Sequence, residues 1–133
     1  MKYNEIQIGY KAESTHTITE EDIVKFAEVS GDFNPVHMDE EFAKTTIFKG
    51  RIAHGVLSVA YISATLAKQL PGAIYMKQTV MFKKPVRIGD IIKTRVEVIS
   101  KNDEKKRLTL STTCSNQRKE EVVTGEALVM LFE

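Results

Sequence analysis

The chain has 133 residues, of which 19 are basic and 18 acidic, and its formal net charge is +1. This length suits one compact domain, residues 1–133, with a hydrophobic core of its own. The balanced charge gives no support for nucleic acid or an anionic membrane as a partner. The single cysteine, Cys114, excludes an internal disulfide, and the N-terminus lacks the apolar stretch of a signal peptide. Both features indicate a cytoplasmic protein.

The first predicted elements are a strand and a helix. His16 lies in a strand-like Thr-His-Thr context and is expected on the surface. Thr19 followed by three acidic residues is typical of a capped helix start, and an apolar pattern continues to Val29. Gly31 suits a turn, so we expect the helix to end near Ser30.

Residues 31–50 are predicted to be mostly loop, with one helical turn at 39–43. Pro35 fixes its own φ and pushes Asn34 into an extended conformation, so the chain bends between Asp32 and His37. A carboxylate and an imidazole on two sides of such a bend could share a water molecule as acid and base. The alternative is an ordinary turn in which Asp32 is a local hydrogen-bond acceptor.

The rest of the chain predicts one long helix and a set of antiparallel strands. Residues 53–70 are apolar on nearly every side but too short to span a membrane, which favours a central core helix. After Tyr75, apolar and polar residues alternate in three segments, at 92–98, 108–114 and 123–131. This order predicts an α+β domain in which an antiparallel sheet packs against the long helix.

Several other kinds of site are disfavoured by the sequence. The histidines at positions 16, 37 and 54 show no close metal-ligand spacing, so no metal site is predicted. Neither a GxGxxG sequence nor a P-loop is present, so no nucleotide cofactor is expected. Lys83, Lys84 and Arg87 are interpreted as exposed charges at a strand edge, although they could also meet phosphate groups.

Two segments of the chain resemble the MaoC-like (R)-specific enoyl-CoA hydratases, the hydratase 2 family of the hot-dog fold. The first segment carries the family's signature without a departure: Phe26, Val29, Ser30, Gly31-Asp32-Phe33-Asn34-Pro35-Val36-His37 and Ala43. The second begins at Ala53-His54-Gly55, and shorter matches continue to Thr124-Gly-Glu-Ala127. The resemblance therefore covers nearly the whole chain.

The resemblance implies a hot-dog domain that hydrates trans-2-enoyl-CoA reversibly to (R)-3-hydroxyacyl-CoA without a cofactor. In the family, the residues that match Asp32 and His37 activate the water, and the backbone N–H that matches Gly55 polarises the thioester carbonyl. Ser63 matches a serine that lines the active site, and Asn34 is expected to hold the loop and the imidazole. His54 is interpreted as a structural residue, although it borders this site and could contact substrate.

Other activities and the assembly stay open at this stage. A 3-hydroxyacyl-carrier-protein dehydratase would use the same chemistry on another thiol carrier, and a non-catalytic acyl-CoA-binding module would need neither Asp32 nor His37. Thioester hydrolysis occurs on the same fold but without this Asp and His arrangement. A single sheet around one apolar helix leaves an uncovered edge, which together with the resemblance predicts a homodimer.

Overall fold

The computed structural model describes residues 1–132. Five antiparallel strands form one sheet in the order β1-β3-β4-β5-β2. The strands are β1 (Lys11–Thr17), β2 (Ile74–Phe82), β3 (Ile91–Asn102), β4 (Arg107–Ser115) and β5 (Glu121–Met130). The helices are α1 (Glu20–Ser30), α2 (Pro35–Met38), α3 (Glu40–Ala43) and α4 (Gly55–Gln69), and a 3-10 turn at Tyr3–Glu5 precedes them. This arrangement confirms the predicted α+β class.

The hydrophobic core lies between α4 and one face of the sheet. Every second residue is buried along β4 and along β3 as far as Val98, as the alternating sequence pattern predicts. From the helix, Ile62 and Leu66 pack into the same cluster as buried side chains of all three central strands. Those strand residues include Val96, Val98, Leu108, Leu110, Ala127 and Val129. The sheet therefore gives α4 a rigid support along its length.

Helix α4 is shorter and less enclosed than the sequence predicts. It spans Gly55–Gln69 rather than 53–70, and only one of its faces is buried. The opposite face is exposed and carries Val56, Ala60, Ala64 and Ala67. The prediction of a central helix surrounded by the sheet is not confirmed for the single chain, because the sheet covers one side of the helix only.

A second difference concerns the segment after α1. Residues 35–38, predicted as loop, form the short helix α2, with Asn34 as its N-cap and Pro35 in its first turn. Proline fits a helix start because its missing N–H would be unpaired there in any case. The turn predicted at 39–43 is confirmed as α3. No helix in residues 1–132 is long and apolar enough to cross a membrane.

Candidate active site

The site begins where α1 ends. Thr19 and Asp22 cap the start of α1 reciprocally, as predicted, and Gly31 closes its end in a left-handed conformation with φ of 80°. The Gly31 N–H bonds to the Ala27 carbonyl at 2.8 Å. Most residues with a side chain are strained at such a φ, whereas glycine is not. The reversal points the chain away from α1 and places Asp32 at the start of the connecting loop.

Asn34 links Asp32 to the helix that carries His37. Its backbone N–H donates to Asp32 Oδ1 at 3.2 Å, and its own Oδ1 accepts from the Val36 N–H at 3.1 Å. Its carbonyl accepts from the His37 N–H at 2.9 Å. The side chain thus satisfies one free donor at the start of α2. These contacts agree with the predicted role of Asn34 in holding the loop.

His37 is buried, and its tautomer follows from its partner. The Nδ1 atom lies 2.8 Å from the Ile52 carbonyl oxygen, which can only accept, so Nδ1 carries the proton. In the neutral ring Nε2 then has a free lone pair. Burial lowers the pKa of His37 below its usual range, and the adjacent Arg51 charge acts in the same direction. The bond to Ile52 and the Asp32 carboxylate oppose this shift of the pKa. The result is a neutral imidazole that can accept a proton.

Asp32, His37 and His54 form one compact group. One potential ligand atom of each residue lies within 4.8 Å of those of the other two. Two hydrogen bonds of about 2.8 Å that meet at one water molecule span roughly 4.5 Å, so Asp32 and His37 are suitably spaced to share a water. The predicted convergence of Asp32 and His37 is therefore present in the fold.

Two of the three histidines are close in space although they are far apart in the sequence. The rings of His37 and His54 stack with centroids 4.0 Å apart and planes tilted by 34°. Sequence spacing missed this because the fold, rather than a local repeat, brings positions 37 and 54 together. One nitrogen of each ring already donates to a backbone carbonyl, and stacked rings direct their lone pairs along separate planes rather than to one point. We interpret the group as an acid–base site, and the absence of a metal stays a prediction.

Arg51 holds helix α2 through a bond to its backbone. Its Nε donates to the His37 carbonyl at 2.6 Å, and its guanidinium contacts both carboxylate oxygens of Glu20 at 2.8 and 3.1 Å. This pairing joins the first residue of α1 to α2. Sequence reasoning did not single out Arg51, because its partner lies 31 positions away and a single sequence does not show such pairs.

Gly55 and His37 open onto a shared cavity of about 330 Å³. Gly55 is the first residue of α4, and the N–H groups of a first helical turn have no partner within the helix. A methyl group at this position would come within 2.9 Å of the Phe82 ring, so the glycine leaves room where β2 ends. The cavity is otherwise mostly apolar, with Phe48, Ile52, Val56, Pro85, Val86 and Val123 in its wall.

The remaining predicted residues fall in different places. Lys83 and Lys84 line this cavity, and they also pair with Glu121 and Glu120 at 3.5 and 2.7 Å. Ser63 is not among the cavity residues and lies two turns along α4 from Gly55. Its predicted contact with the active site stays a prediction.

This fold is that of the MaoC-like domain family. The family matches residues 2–121, so the chain belongs to it. The chain is 48% identical over 131 residues to the (R)-specific enoyl-CoA hydratase of Rhodospirillum rubrum, covering 97% of this chain and 90% of that protein. It is 39% identical over 133 residues to the (R)-specific enoyl-CoA hydratase of Aeromonas caviae, covering 98% and 99%. The unliganded R-hydratase PhaJ1 of Pseudomonas aeruginosa superposes with a TM-score of 0.92 at 49% identity, covering 98% and 84%. These similarities confirm the hot-dog fold.

Proposed function

We propose that the chain is a hydro-lyase that adds water reversibly to trans-2-enoyl-CoA and forms (R)-3-hydroxyacyl-CoA. One observation carries the proposal: the Asp32 carboxylate and the His37 imidazole, whose Nε2 has no partner within residues 1–132, lie in one compact group, and His37 lines an apolar cavity whose wall includes the first residue of α4. The two hydratases compared above are named as (R)-specific, which supports the same product configuration here. A module that only binds acyl-CoA has no need of this pair.

The proposed reaction is an acid–base addition. A water held between Asp32 and His37 gives a proton to the neutral imidazole as its oxygen bonds to C3 of the enoyl group. The electron pair of the double bond moves towards the thioester, and the acid–base pair returns a proton to C2. Elimination reverses the same steps. Oxidation states balance within the substrate and water, so the reaction needs no cofactor.

Charge that develops on the thioester oxygen needs a donor. The Gly55 N–H lies at the positive end of the 15-residue helix α4, where backbone donors and the helix dipole favour a negative group. We propose that this N–H donates a hydrogen bond to the thioester carbonyl oxygen. Loss of one such donor typically costs about 3 kcal/mol of transition-state stabilisation.

The rim of the cavity suits an anionic thiol carrier. Lys83 and Lys84 follow β2 directly and line the cavity, where their ammonium groups could meet phosphates of coenzyme A. Each also pairs with a glutamate, and its side chain is about half exposed, so the two charges add to affinity more than to fold stability. The single cysteine, Cys114, is buried and free, in keeping with the cytoplasm that we propose as the compartment.

We also propose that the active form is a homodimer. Strand β2 lies at one edge of the sheet, and its exposed residues are largely apolar: Ile74, Met76, Val80, Met81 and Phe82. Next to it in space lies α4, which contacts β2 and has an exposed apolar face. An unprotected apolar edge favours pairing with a second copy of the same edge. Ser63 lies on α4, so a second subunit could place it near an active site.

The dimer is tested with a charge on the exposed face of α4. Ala60→Glu should convert a particle of twice the 15.0 kDa chain mass into a monomer, because a carboxylate would then be buried without a partner. Ile8→Glu, at an exposed apolar residue before β1, serves as the matched control and should stay dimeric. Light scattering measures both variants. A wild-type monomer with full activity would refute the dimer.

The activity is tested by turnover of crotonyl-CoA, followed as loss of the enoyl absorbance, with the product's configuration determined by a chiral separation. We expect (R)-3-hydroxybutyryl-CoA. Crotonyl-pantetheine as a second substrate shows what the nucleotide part contributes, since loss of phosphate contacts should raise KM. No turnover of crotonyl-CoA or of longer enoyl-CoAs, or an (S) product, would contradict the proposal.

A further inference from the structure

His54 lies beneath the two proposed catalytic groups without being exposed to substrate. Its side chain is buried, with 1% of the residue exposed. One face of its ring stacks on His37 at 4.0 Å, and the Phe26 ring lies 4.8 Å away. His54 is therefore shielded from solvent and in direct contact with a proposed catalytic ring.

The surroundings of the two ring nitrogens of His54 determine its protonation. Nε2 lies 2.9 Å from the Asp32 carbonyl oxygen, which can only accept, so Nε2 carries a proton. The other nitrogen, Nδ1, is buried and has no hydrogen-bond partner among the described residues. A proton on Nδ1 would bury a cation and an unpaired donor together, which is strongly unfavourable. His54 is therefore a neutral ring with the proton on Nε2, the opposite tautomer from His37.

This geometry connects both catalytic groups to one side chain. The N–H of His54 holds the backbone of Asp32, and its ring supports the face of His37. Without the ring, His37 retains Ile52 at one edge and could tilt about that bond. Without the N–H, the Asp32 carbonyl loses a partner and the loop between Gly31 and Asn34 is held by fewer bonds.

We propose that His54 is a positioning residue of the hydration site, a neutral imidazole that sets the relative placement of the Asp32 carboxylate and the His37 ring. The inference rests on the proposed function for its kinetic consequences, but its structural content can be tested without activity. An error of about 1 Å in the placement of reacting groups can lower a rate by ~10²-fold. A partial misplacement is therefore expected to change kcat before it changes stability.

Two substitutions separate positioning from packing. His54→Phe keeps a ring against His37 but removes the N–H, and it also removes the unpaired Nδ1, so the melting temperature should stay the same or rise. His54→Gln returns an amide N–H at a similar reach but removes the ring. His16→Gln is the matched control, because His16 is exposed and its partner is the Asp22 carboxylate at 2.9 Å.

With crotonyl-CoA we expect His54→Phe to lower kcat by roughly tenfold or more, with KM within about twofold of wild type, since a positioning residue acts on the transition state. His54→Gln should recover part of this loss, and His16→Gln should match wild type. The proposal is overturned if His54→Phe keeps the wild-type kcat. It is also overturned if kcat falls only with the folded fraction, or if His54→Gln is no more active than His54→Phe.

Long-range ¹H–¹⁵N spectra of the imidazoles give a readout independent of activity. We expect the Nδ1–H tautomer for His37 and the Nε2–H tautomer for His54, with backbone amide shifts at 32–37 changed in His54→Phe and unchanged in His16→Gln. A proton on Nδ1 of His54, or unchanged amide shifts in His54→Phe, overturns the inference. If wild type fails to hydrate any enoyl-CoA, the proposed function fails, and these spectra still decide whether His54 positions the pair.

Discussion

The segment between α1 and α4, residues 31–54, and the three central strands of the sheet are stabilised in different ways. Strands β3, β4 and β5 are joined by long antiparallel ladders, and every second residue is buried along β4 and along β3 as far as Val98. The segment 31–54 has two helices of four residues each and is held largely by single polar contacts, among them those of Asn34, Arg51 and His54. Its geometry therefore depends on a few polar side chains, of which Arg51 and His54 each hold two neighbours.

This difference separates stability from catalysis in the molecule. Of the hydrophobic core cluster in the described part of the chain, only Ala53 comes from the segment 31–54, so apolar burial stabilises mainly the rest of the domain, whereas the segment sets the positions of reacting groups. Substitutions in the sheet should therefore change the free energy of unfolding, and substitutions in the segment should change kcat. The predictions below test this separation.

The largest effect on stability is expected at Gly125. A methyl group there would lie 1.8 Å from the Thr79 carbonyl oxygen of the paired strand β2, and a backbone atom cannot move aside without opening the sheet. Gly125→Ala should lower the free energy of unfolding by about 3 kcal/mol or more. Urea unfolding followed by circular dichroism measures it. Glu126→Ala, at an exposed neighbour on β5, is the control and should change it by less than about 0.5 kcal/mol.

The catalytic pair should show the reverse behaviour. Asp32→Asn keeps an oxygen that can accept from the Asn34 N–H, and His37→Asn keeps an N–H donor near the Ile52 carbonyl. Each variant should lower kcat by at least ~10²-fold, as expected for general acid–base groups, with little loss of stability. Steady-state kinetics with crotonyl-CoA and thermal melts measure both quantities. Activity near wild type in either folded variant would contradict the mechanism.

Gly55 follows the segment 31–54 directly and lies against Phe82 of β2, so a substitution there can affect both catalysis and packing. Gly55→Ala keeps the backbone N–H but crowds Phe82, and we expect kcat to fall roughly tenfold or more because the thioester oxygen is displaced. The close Phe82 atoms belong to its ring, which can turn about the side-chain bonds, so the melting temperature should change little. Phe82→Leu in the Gly55→Ala background is the control. Full recovery of kcat in the double variant would assign the effect to packing against Phe82 rather than to the oxyanion site.

The smallest predicted effect is a displacement of the pH profile. His37 must be neutral to accept a proton, and burial lowers the pKa of His37, so the ring is protonated only at more acidic pH. The midpoint of the acidic limb of kcat/KM should then lie below the usual histidine value of about 6.5. Because the Asp32 charge raises the pKa of His37, Asp32→Asn should move that pKa further down in an NMR titration. A midpoint above 6.5 in wild type would contradict the burial argument.

Much of this protein could be predicted from sequence because the relevant physics is local. The Thr19 cap, the end of α1 at Gly31 and the alternation along β3 and β4 depend on neighbouring residues and are confirmed. The Asn34-Pro35 pair predicts a bend in a loop, whereas in the structure the same pair starts α2. Both outcomes fit the local signal, because proline ends one helix and also suits the first turn of the next.

Other features depend on packing between distant segments, and only the tertiary structure decided them. The Arg51 bond to the His37 carbonyl and the stack of His54 on His37 join positions separated by 14 and 17 residues, and no periodicity encodes them. The sequence also does not predict which face of α4 is exposed, because apolar residues on every side of a helix do not show which partner covers each side. The sequence determined the elements and the chemical identity of Asp32 and His37. The tertiary structure determined their relative placement and the tautomers of the two stacked rings, because both depend on carbonyl groups contributed by other parts of the chain.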